Sequence, residues 1–234
     1  THNDIAVSDR LTLTLGGRFT HENIKGEGFG VHIFDDGVRA LNNRDGAGPA
    51  IGENRIIENR FSGNAALRYR LNDTAAIYAS FANSYKSGGF NGEVQNNATH
   101  FQDEGLFSAE TVNTWELGLK AAMPDRLLFN TALFFQDYNA PQARIFVDFP
   151  LPGGGLITSN SLSNLEAAPS YGAEADLTWT PAEALTLRAG ITLLETEIRQ
   201  STDNAGNAAL FDGNPLPFAP KISATLAGVY ERPI

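Results

Sequence analysis

Alternation of apolar and polar residues, broken by connections of two very unequal lengths, constrains this chain more than any other feature. It is clearest between Thr74 and Ala140. TAAIYASFANSYKSGGFNG leads into a long polar segment, then come ETVNTWELGLKAA, a tight MPDR turn and LLFNTALFFQDYNA. Successive side chains of a strand point to opposite faces, so each segment presents one apolar and one polar face. Strands joined alternately by a long loop and a tight turn are the pattern of an antiparallel membrane barrel whose two rims face different surroundings.

The same pattern runs through the rest of the chain. Leu11, Leu13, Leu15 and Phe19 alternate with Thr12, Thr14, Arg18 and Thr20. From Gly26 to Asn54 Gly, Asp and Asn accumulate, which predicts a long loop holding at most a short strand at Val31–Phe34. Phe61, Ala65, Leu67, Tyr69 and Leu71 then oppose Arg60, Ser62, Asn64, Arg68 and Arg70. Three arginines on one strand face are too costly for an apolar core and suit a wet interior. Ile77, Ala79 and Phe81 give the third strand its apolar face. Trp115, Leu117 and Leu119 oppose Glu116, Gly118 and Lys120 in the fourth; Leu127, Phe129, Leu133 and Phe135 oppose Asn130, Ala132, Gln136 and Tyr138 in the fifth.

Gln142 to Phe149 is expected to extend the fifth strand beyond the membrane, with PLPGGG as a loop tip and Leu156–Leu165 as the return arm. Tyr171, Leu177 and Trp179 oppose Glu174 and Asp176 in the sixth strand. Leu185, Leu187, Ile191 and Leu193 oppose Thr186, Arg188 and Thr192 in the seventh, and Ile222–Tyr230 forms the eighth. Turns at Asn72, Pro124 and Pro181 sit at one rim. Apolar stretches of about ten residues, at ~3.4 Å per residue and a ~45° tilt, span roughly 22–26 Å, the height of an outer-membrane apolar band. Trp115, Trp179, Tyr69, Tyr171 and Tyr230 fall near strand ends, where an aromatic girdle belongs. A soluble sandwich also alternates, but its loops are of similar length at both ends.

Composition closes off several function classes. No apolar run reaches the roughly 18 residues of a membrane helix. The chain has no cysteine, which removes disulfides, thiolate metal sites and a cysteine nucleophile. A net charge of −10 without a basic stripe argues against nucleic acid as a partner. No GxSxG, HExxH or SxxK motif occurs, so no catalytic residue is assigned. His2, His21, His32 and His100 are scattered; His100 with Asp103 and Glu104 is a poor metal set, and Asp35-Asp36 reads as a turn, so no metal or cofactor is expected.

Two groups of residues are candidates for contact with a ligand. Tyr85, Lys86 and Asn91 border the Ser87-Gly88-Gly89 corner, and Gln142 and Arg144 lie beyond the outer end of the fifth strand. The alternatives are a strand end bent by glycine and an ordinary solvated loop. Arg60, Arg68, Arg70, Glu116, Lys120, Glu174 and Asp176 would line the lumen, where cross-strand pairing of their charges is the structural reading.

Several segments, in this order, resemble the barrel of TonB-dependent outer-membrane receptors. They are YASFANSYKSGGFN at Tyr78–Asn91, the Glu110-Thr111…Trp115-Glu116-Leu117-Gly118-Leu119-Lys120 stretch, Leu133-Phe134-Phe135…Asp137-Tyr138, Gly172-Ala173-Glu174 through Trp179-Thr180-Pro181, and Leu216-Pro217…Ala219-Pro220. LTLGGRFTHE at Leu13–Glu22 fits an earlier strand of the same kind. The resemblance covers essentially the whole chain. It implies a plugged barrel of the ~22-strand class, set in the outer membrane of a Gram-negative cell and in contact with its lipid.

By the same resemblance the receptor takes up a scarce large ligand, such as a ferric siderophore, cobalamin, haem or an oligosaccharide. The inner-membrane TonB complex drives uptake by pulling on a box near the receptor's N-terminus, and no chemistry is done on the ligand. The expectation is therefore one partial barrel domain over residues 1–234, about eight up-and-down strands with short periplasmic turns and long extracellular loops. Plug, TonB box and terminal strands are expected to lie outside it. A passive porin and a soluble β-sandwich binding module are the other readings.

Overall fold

Ser8 makes the first tight turn, its Oγ accepting hydrogen bonds from the backbone N–H groups of Arg10 (3.3 Å) and Leu11 (3.2 Å). Asn72 makes the second, its Oδ1 accepting from both N and Oγ1 of Thr74 at 2.9 Å. Short polar side chains that bond their own backbone favour turns over ladders. The third turn sets Pro124 before Asp125, which adopts φ 57°, and closes with Arg126 N–H donating to Met123 O at 3.1 Å. Proline presets the first central position of such a turn, and the second needs a left-handed residue. All three turns lie at the same end of the sheet.

A computed structural model of the chain describes residues 2–34, 37–40, 50–91, 106–150, 156–200 and 211–231. Its strands are β1 His2–Ala6, β2 Leu11–Phe34, β3 Gly37–Ala40, β4 Ala50–Arg70, β5 Ala75–Lys86, β6 Gly89–Phe90 and β7 Leu106–Phe107. After these come β8 Glu110–Met123, β9 Leu127–Asn139, β10 Gln142–Pro150, β11 Leu156–Asn164, β12 Ser170–Ala182, β13 Leu185–Thr196 and β14 Ile222–Tyr230. The main sheet runs β1-β2-β4-β5-β8-β9-β12-β13-β14, with β3 paired to the outer part of β2. Each strand of the main sheet pairs with the next one along the chain, β6–β7 and β10–β11 form separate two-stranded sheets within the connections, and all described pairings are antiparallel. This is the up-and-down wall that the alternation predicts, an open section of a barrel with β1 and β14 at its two ends.

Two expectations are corrected. The stretch Gly26–Asn54 is not a loop throughout: β2 continues to Phe34, and Gly26 pairs with Asn54, Gly28 with Gly52 and Gly30 with Ala50. Glycine contributes no side chain to either face, so the alternation fades while the backbone ladder persists. The sequence reading also missed β1, whose five residues pair with Thr12–Gly16 of β2. Strand β1 is too short to show a period.

One face of the wall is apolar and exposed. From β2 to β13 it carries odd-numbered residues, among them Phe19 (68% exposed), Phe61 (69%), Leu67, Phe81, Trp115, Leu117, Leu133, Phe135, Tyr171, Trp179 and Leu193. Exposed rows of this kind have no place in a water-facing sheet and suit contact with lipid. Phe81, Trp115 and Phe135 sit side by side, with ring centroids 5.3 and 5.6 Å apart. Beyond them on the same face the residues turn polar, with Asn83 donating to Asn113 at 2.6 Å and Asn113 paired in register with Asp137. The apolar band thus ends at an aromatic row.

Buried residues gather elsewhere. Asn91, Ala109, Glu110, Leu165, Ala168, Ser170, Ile198 and Gln200 are all buried, and they lie where the long connections leave the strands. Most of the buried residues therefore lie at its outer mouth, the end opposite the turns, with Ala76 and Ala132 buried on the wall itself.

Candidate functional site

Register puts Arg60, Arg68, Arg70, Glu116, Lys120, Glu174 and Asp176 on one face of the wall, opposite the apolar rows. Arg68 faces Tyr78 across β4 and β5, and Tyr78 faces Gly118 of β8. The Tyr78 ring lies directly on Gly118, where any Cβ would collide with it. Its hydroxyl donates to Glu116, and Lys120 Nζ stands 5.2 Å from the ring centroid. One aromatic side chain thus covers a glycine, satisfies a carboxylate and takes a cation over its face.

The expected cross-strand pairing of lumen charges is not what holds this row. Among the described residues, Arg60, Arg68, Arg70, Glu116, Lys120, Glu174 and Asp176 form no ion pair with one another. Arg60 instead reaches Glu58 on its own strand at 3.4 Å. Arg70 donates to the carbonyl of Asp9 in the first turn. Asp176 lies over Gly190 of β13. In-register spacing brings Lys120 next to Asn130, and Asn130 next to Asp176, so an uncharged residue separates the charges.

The outer mouth joins the other candidates. Glu110, whose side chain is only 8% exposed, accepts from the hydroxyl of Tyr138 (2.8 Å) and the backbone N–H of Gln142 (2.6 Å), and lies 3.8 Å from Lys86 Nζ. Gln142 Nε2 donates to the carbonyls of Ser87 (2.8 Å) and Ser108 (3.1 Å). Asn164 bonds Ser108 N–H and Ser108 O, and also Ala140 O at 2.7 Å. Asn91, buried, donates to Leu162 O at 3.2 Å. Of the predicted contact residues, Lys86, Asn91 and Gln142 are therefore tied into one network, which binds the ends of the 92–105 connection to the foot of the β10–β11 hairpin. Arg144 is exposed beside it. Tyr85 lies on the same strand face as Phe81 and Asn83, opposite to Lys86.

The sequence pointed at Ser87-Gly88-Gly89 as a bend. The structure gives a different reason for Gly88: a Cβ there would meet the carbonyl oxygen of Phe107 at 2.5 Å. Close approach of two backbones requires the glycine, and no left-handed conformation is involved. Glu110, Ser108 and Asn164, which the sequence reading did not single out, are central to this mouth. No signal in the sequence marked them, because the burial of Glu110 and its partners Tyr138 and Gln142 arise only from the fold.

Tyr138 lies three residues beyond Phe135, outside the apolar band. Burial, then the hydrogen bond from its hydroxyl to Glu110, raise its pKa from 10.0 to about 12. No group of three or more His, Cys, Asp or Glu side chains able to hold a metal exists among the described residues. His32 has no described side chain, and the Asp35-Asp36 turn and the His100, Asp103 and Glu104 grouping lie outside the described residues. A hollow of ≈ 530 Å³ among the tight turns is lined by Asp73, Met123, Pro124 and Thr178, away from the mouth. A second, of ≈ 380 Å³, opens on the inner wall below the mouth, between Arg18, Ser62, Ser84 and Lys86.

Solved structures share this wall. The ferric yersiniabactin uptake receptor FyuA from Yersinia pestis superposes with a TM-score of 0.71 at 20% identity, over 97% of this chain and 30% of FyuA. The siderophore receptor PiuA from Acinetobacter baumannii gives 0.63 at 19% identity, over 98% of this chain and 30% of PiuA. The copper transporter OprC gives 0.64 at 15% identity, over 99% of this chain and 32% of OprC. At such identities the likeness establishes the fold. The chain spans about a third of the length of these proteins. The family model described as TonB dependent receptor-like, beta-barrel, matches residues 2–233. With an antiparallel wall, an apolar outer face and a polar inner face in agreement, the chain belongs to the β-barrel family of TonB-dependent receptors.

Proposed function

We propose that this chain is a section of the barrel wall of a Gram-negative outer-membrane receptor that takes up a ferric siderophore, with energy delivered by a TonB complex. The observation that carries the reading is the contrast between the two faces of one sheet. The outer face is apolar up to an aromatic row, and the inner face carries arginines, lysines and carboxylates over its whole length. A polar path enclosed by lipid-fit strands is a transport path.

In this reading Arg60, Arg68, Arg70, Glu116, Lys120, Glu174 and Asp176 line the path. Lys86 and Arg144 offer charge to a ligand at the mouth, while Tyr85, Asn91 and Gln142 shape its rim. FyuA and PiuA are named for siderophore uptake and OprC for copper, so the cargo is tested with a panel. Cells carrying the full-length receptor are given radioiron on siderophores of several classes, and copper, with and without a protonophore. Accumulation of a ferric siderophore that stops when the proton gradient collapses is the expected result. Uptake indifferent to the gradient contradicts the TonB-coupled reading.

A further inference from the structure

On β2 and β4 the outward face changes character just past the aromatic pair Phe19 and Phe61. The next register pairs on that face are His21 with Asn59, Asn23 with Ile57 and Lys25 with Arg55. All six residues are exposed, whereas Glu22, Ile24, Ile56 and Glu58, which alternate with them, are half-buried. An imidazole, an ammonium and a guanidinium thus share one strip two strands wide. His21 Nδ1 lies 2.8 Å from Asn59 Oδ1. Arg55 Nε donates to Asn23 Oδ1 at 2.7 Å, which draws the guanidinium one rung back toward the rings.

The neighbouring strands do not repeat this strip. On β5, β8 and β9 the outward residues just beyond the aromatic row are Asn83, Asn113 and Asp137, with no cation among them. Toward the β14 end, Lys221 is held by Glu195 at 2.9 Å. On the β2–β4 strip no carboxylate lies between the Lys25–Arg55 pair and the rings. The next pair outward is Glu27 with Glu53. An anion attracted to the two cations is therefore favoured on their membrane side.

Two features indicate which anion. Ile57, 54% exposed, sits among the polar pairs. A free anion would leave it in water, whereas an amphiphile would cover it. The strip is also deep. At ~3.4 Å per residue and a ~45° tilt it begins about 5 Å beyond the rings and ends about 14 Å beyond them. The headgroup layer of a phospholipid is only about 5–8 Å thick. A phosphorylated saccharide headgroup is thicker. Its phosphate suits the forked donors of Arg55 and the point charge of Lys25, whose stems reach back toward the lipid. Its hydroxyls suit the Asn23, Asn59 and His21 side chains below.

We propose that this strip binds the phosphorylated sugar headgroup of a glycolipid in the surrounding leaflet. The inference rests on the outer-membrane reading above.

The test uses full-length receptor in detergent micelles, titrated with a bisphosphorylated, acylated glucosamine disaccharide and followed by native mass spectrometry. K25Q and R55Q should each weaken binding about fivefold, and together about twentyfold. K25R should bind as the native receptor does. R126Q makes the same charge change at the opposite rim and should have no effect. The dephosphorylated glycolipid and phosphatidylglycerol should bind weakly to every form, and excess inorganic phosphate should not displace the probe. Heat-modifiable migration checks folding, and K25Q, a change to an exposed side chain, carries the test if R55Q does not fold. Undiminished binding in K25Q and the double variant, an equal loss in R126Q, or equal binding of the dephosphorylated glycolipid overturns the assignment. So does phosphatidylglycerol binding with the same dependence on Lys25 and Arg55, which would make this a phospholipid site, or displacement by inorganic phosphate, which would make it a site for free anions. These results leave the membrane face standing. A spin label at position 61 relaxed by a water-soluble agent in bilayers would remove that face itself.

Discussion

Tyr78 packs the hydroxyl end of its ring against Gly118 of the neighbouring strand and donates its hydroxyl to Glu116. A glycine in a strand interior usually weakens it, but here it makes room for a ring that links three inner-face residues. Replacing Gly118 with valine should displace Tyr78 and cost about 1–3 kcal/mol, the usual penalty of overpacking. Urea unfolding of the receptor in lipid vesicles measures the loss. Tyr78→Phe, which keeps the ring and drops the hydroxyl, should lose less than Gly118→Val.

The outer mouth makes a different prediction. Glu110 accepts from Tyr138 and from the Gln142 backbone, with Lys86 beside it. Glu110→Ala leaves two donors without an acceptor, which should cost about 1–3 kcal/mol locally. Hydrogen exchange should then speed up at both 87–91 and 142–144, segments distant in sequence. Faster exchange at one segment only would show that the two are not coupled through Glu110.

Alkaline titration probes the same contact. The Tyr138 phenol is raised from 10.0 to about 12, so its neutral form is favoured by the folded mouth. Its stabilising contribution is complete below pH 10 and is lost as pH rises through about 12. Ultraviolet titration of tyrosinate should therefore show a late-ionising component that Tyr138→Phe diminishes. Glu110→Gln should move it toward the ordinary value.

Much of this architecture is legible in the sequence. The alternation separated the apolar face from the polar face through Trp115–Lys120 and Leu127–Tyr138, because a strand's period of two is strict. The tight turns at Asn72 and Pro124 were legible because their residues act on their own backbone. What was hidden depended on partners distant in the chain. The outer part of the β2–β4 hairpin is a ladder of glycines and polar residues that leaves no period. The role of Glu110 appears only when Tyr138 and Gln142 are brought to it. Lumen charges suggested ion pairs, but Tyr78 supplies a partner that a census of charges overlooks.

The two faces should respond oppositely to the same substitution. Leu117 is 56% exposed on the apolar face, whereas Asn130 lies on the polar face between Lys120 and Asp176. Leu117→Arg should cost about 2–4 kcal/mol of stability in a bilayer, the price of a guanidinium in the hydrocarbon. Asn130→Arg should cost under about 1 kcal/mol, as for a residue in a wet lumen. Equilibrium folding into vesicles, followed by heat-modifiable electrophoresis, separates the two.

The most direct test of a barrel wall in lipid is a cysteine scan along β8. This chain has no cysteine, and any cysteine elsewhere in the full-length receptor is first replaced by serine, so that each introduced thiol reports alone. Single cysteines at positions 114 to 120 of the full-length receptor in bilayers carry a spin label, read with a lipid-soluble and a water-soluble relaxation agent. The expected result is strict alternation: labels at 115, 117 and 119 relaxed by the lipid-soluble agent, and those at 114, 116, 118 and 120 shielded from it. Water-soluble relaxation at 115, 117 and 119, or no alternation along the strand, would contradict the assignment of this face to the membrane.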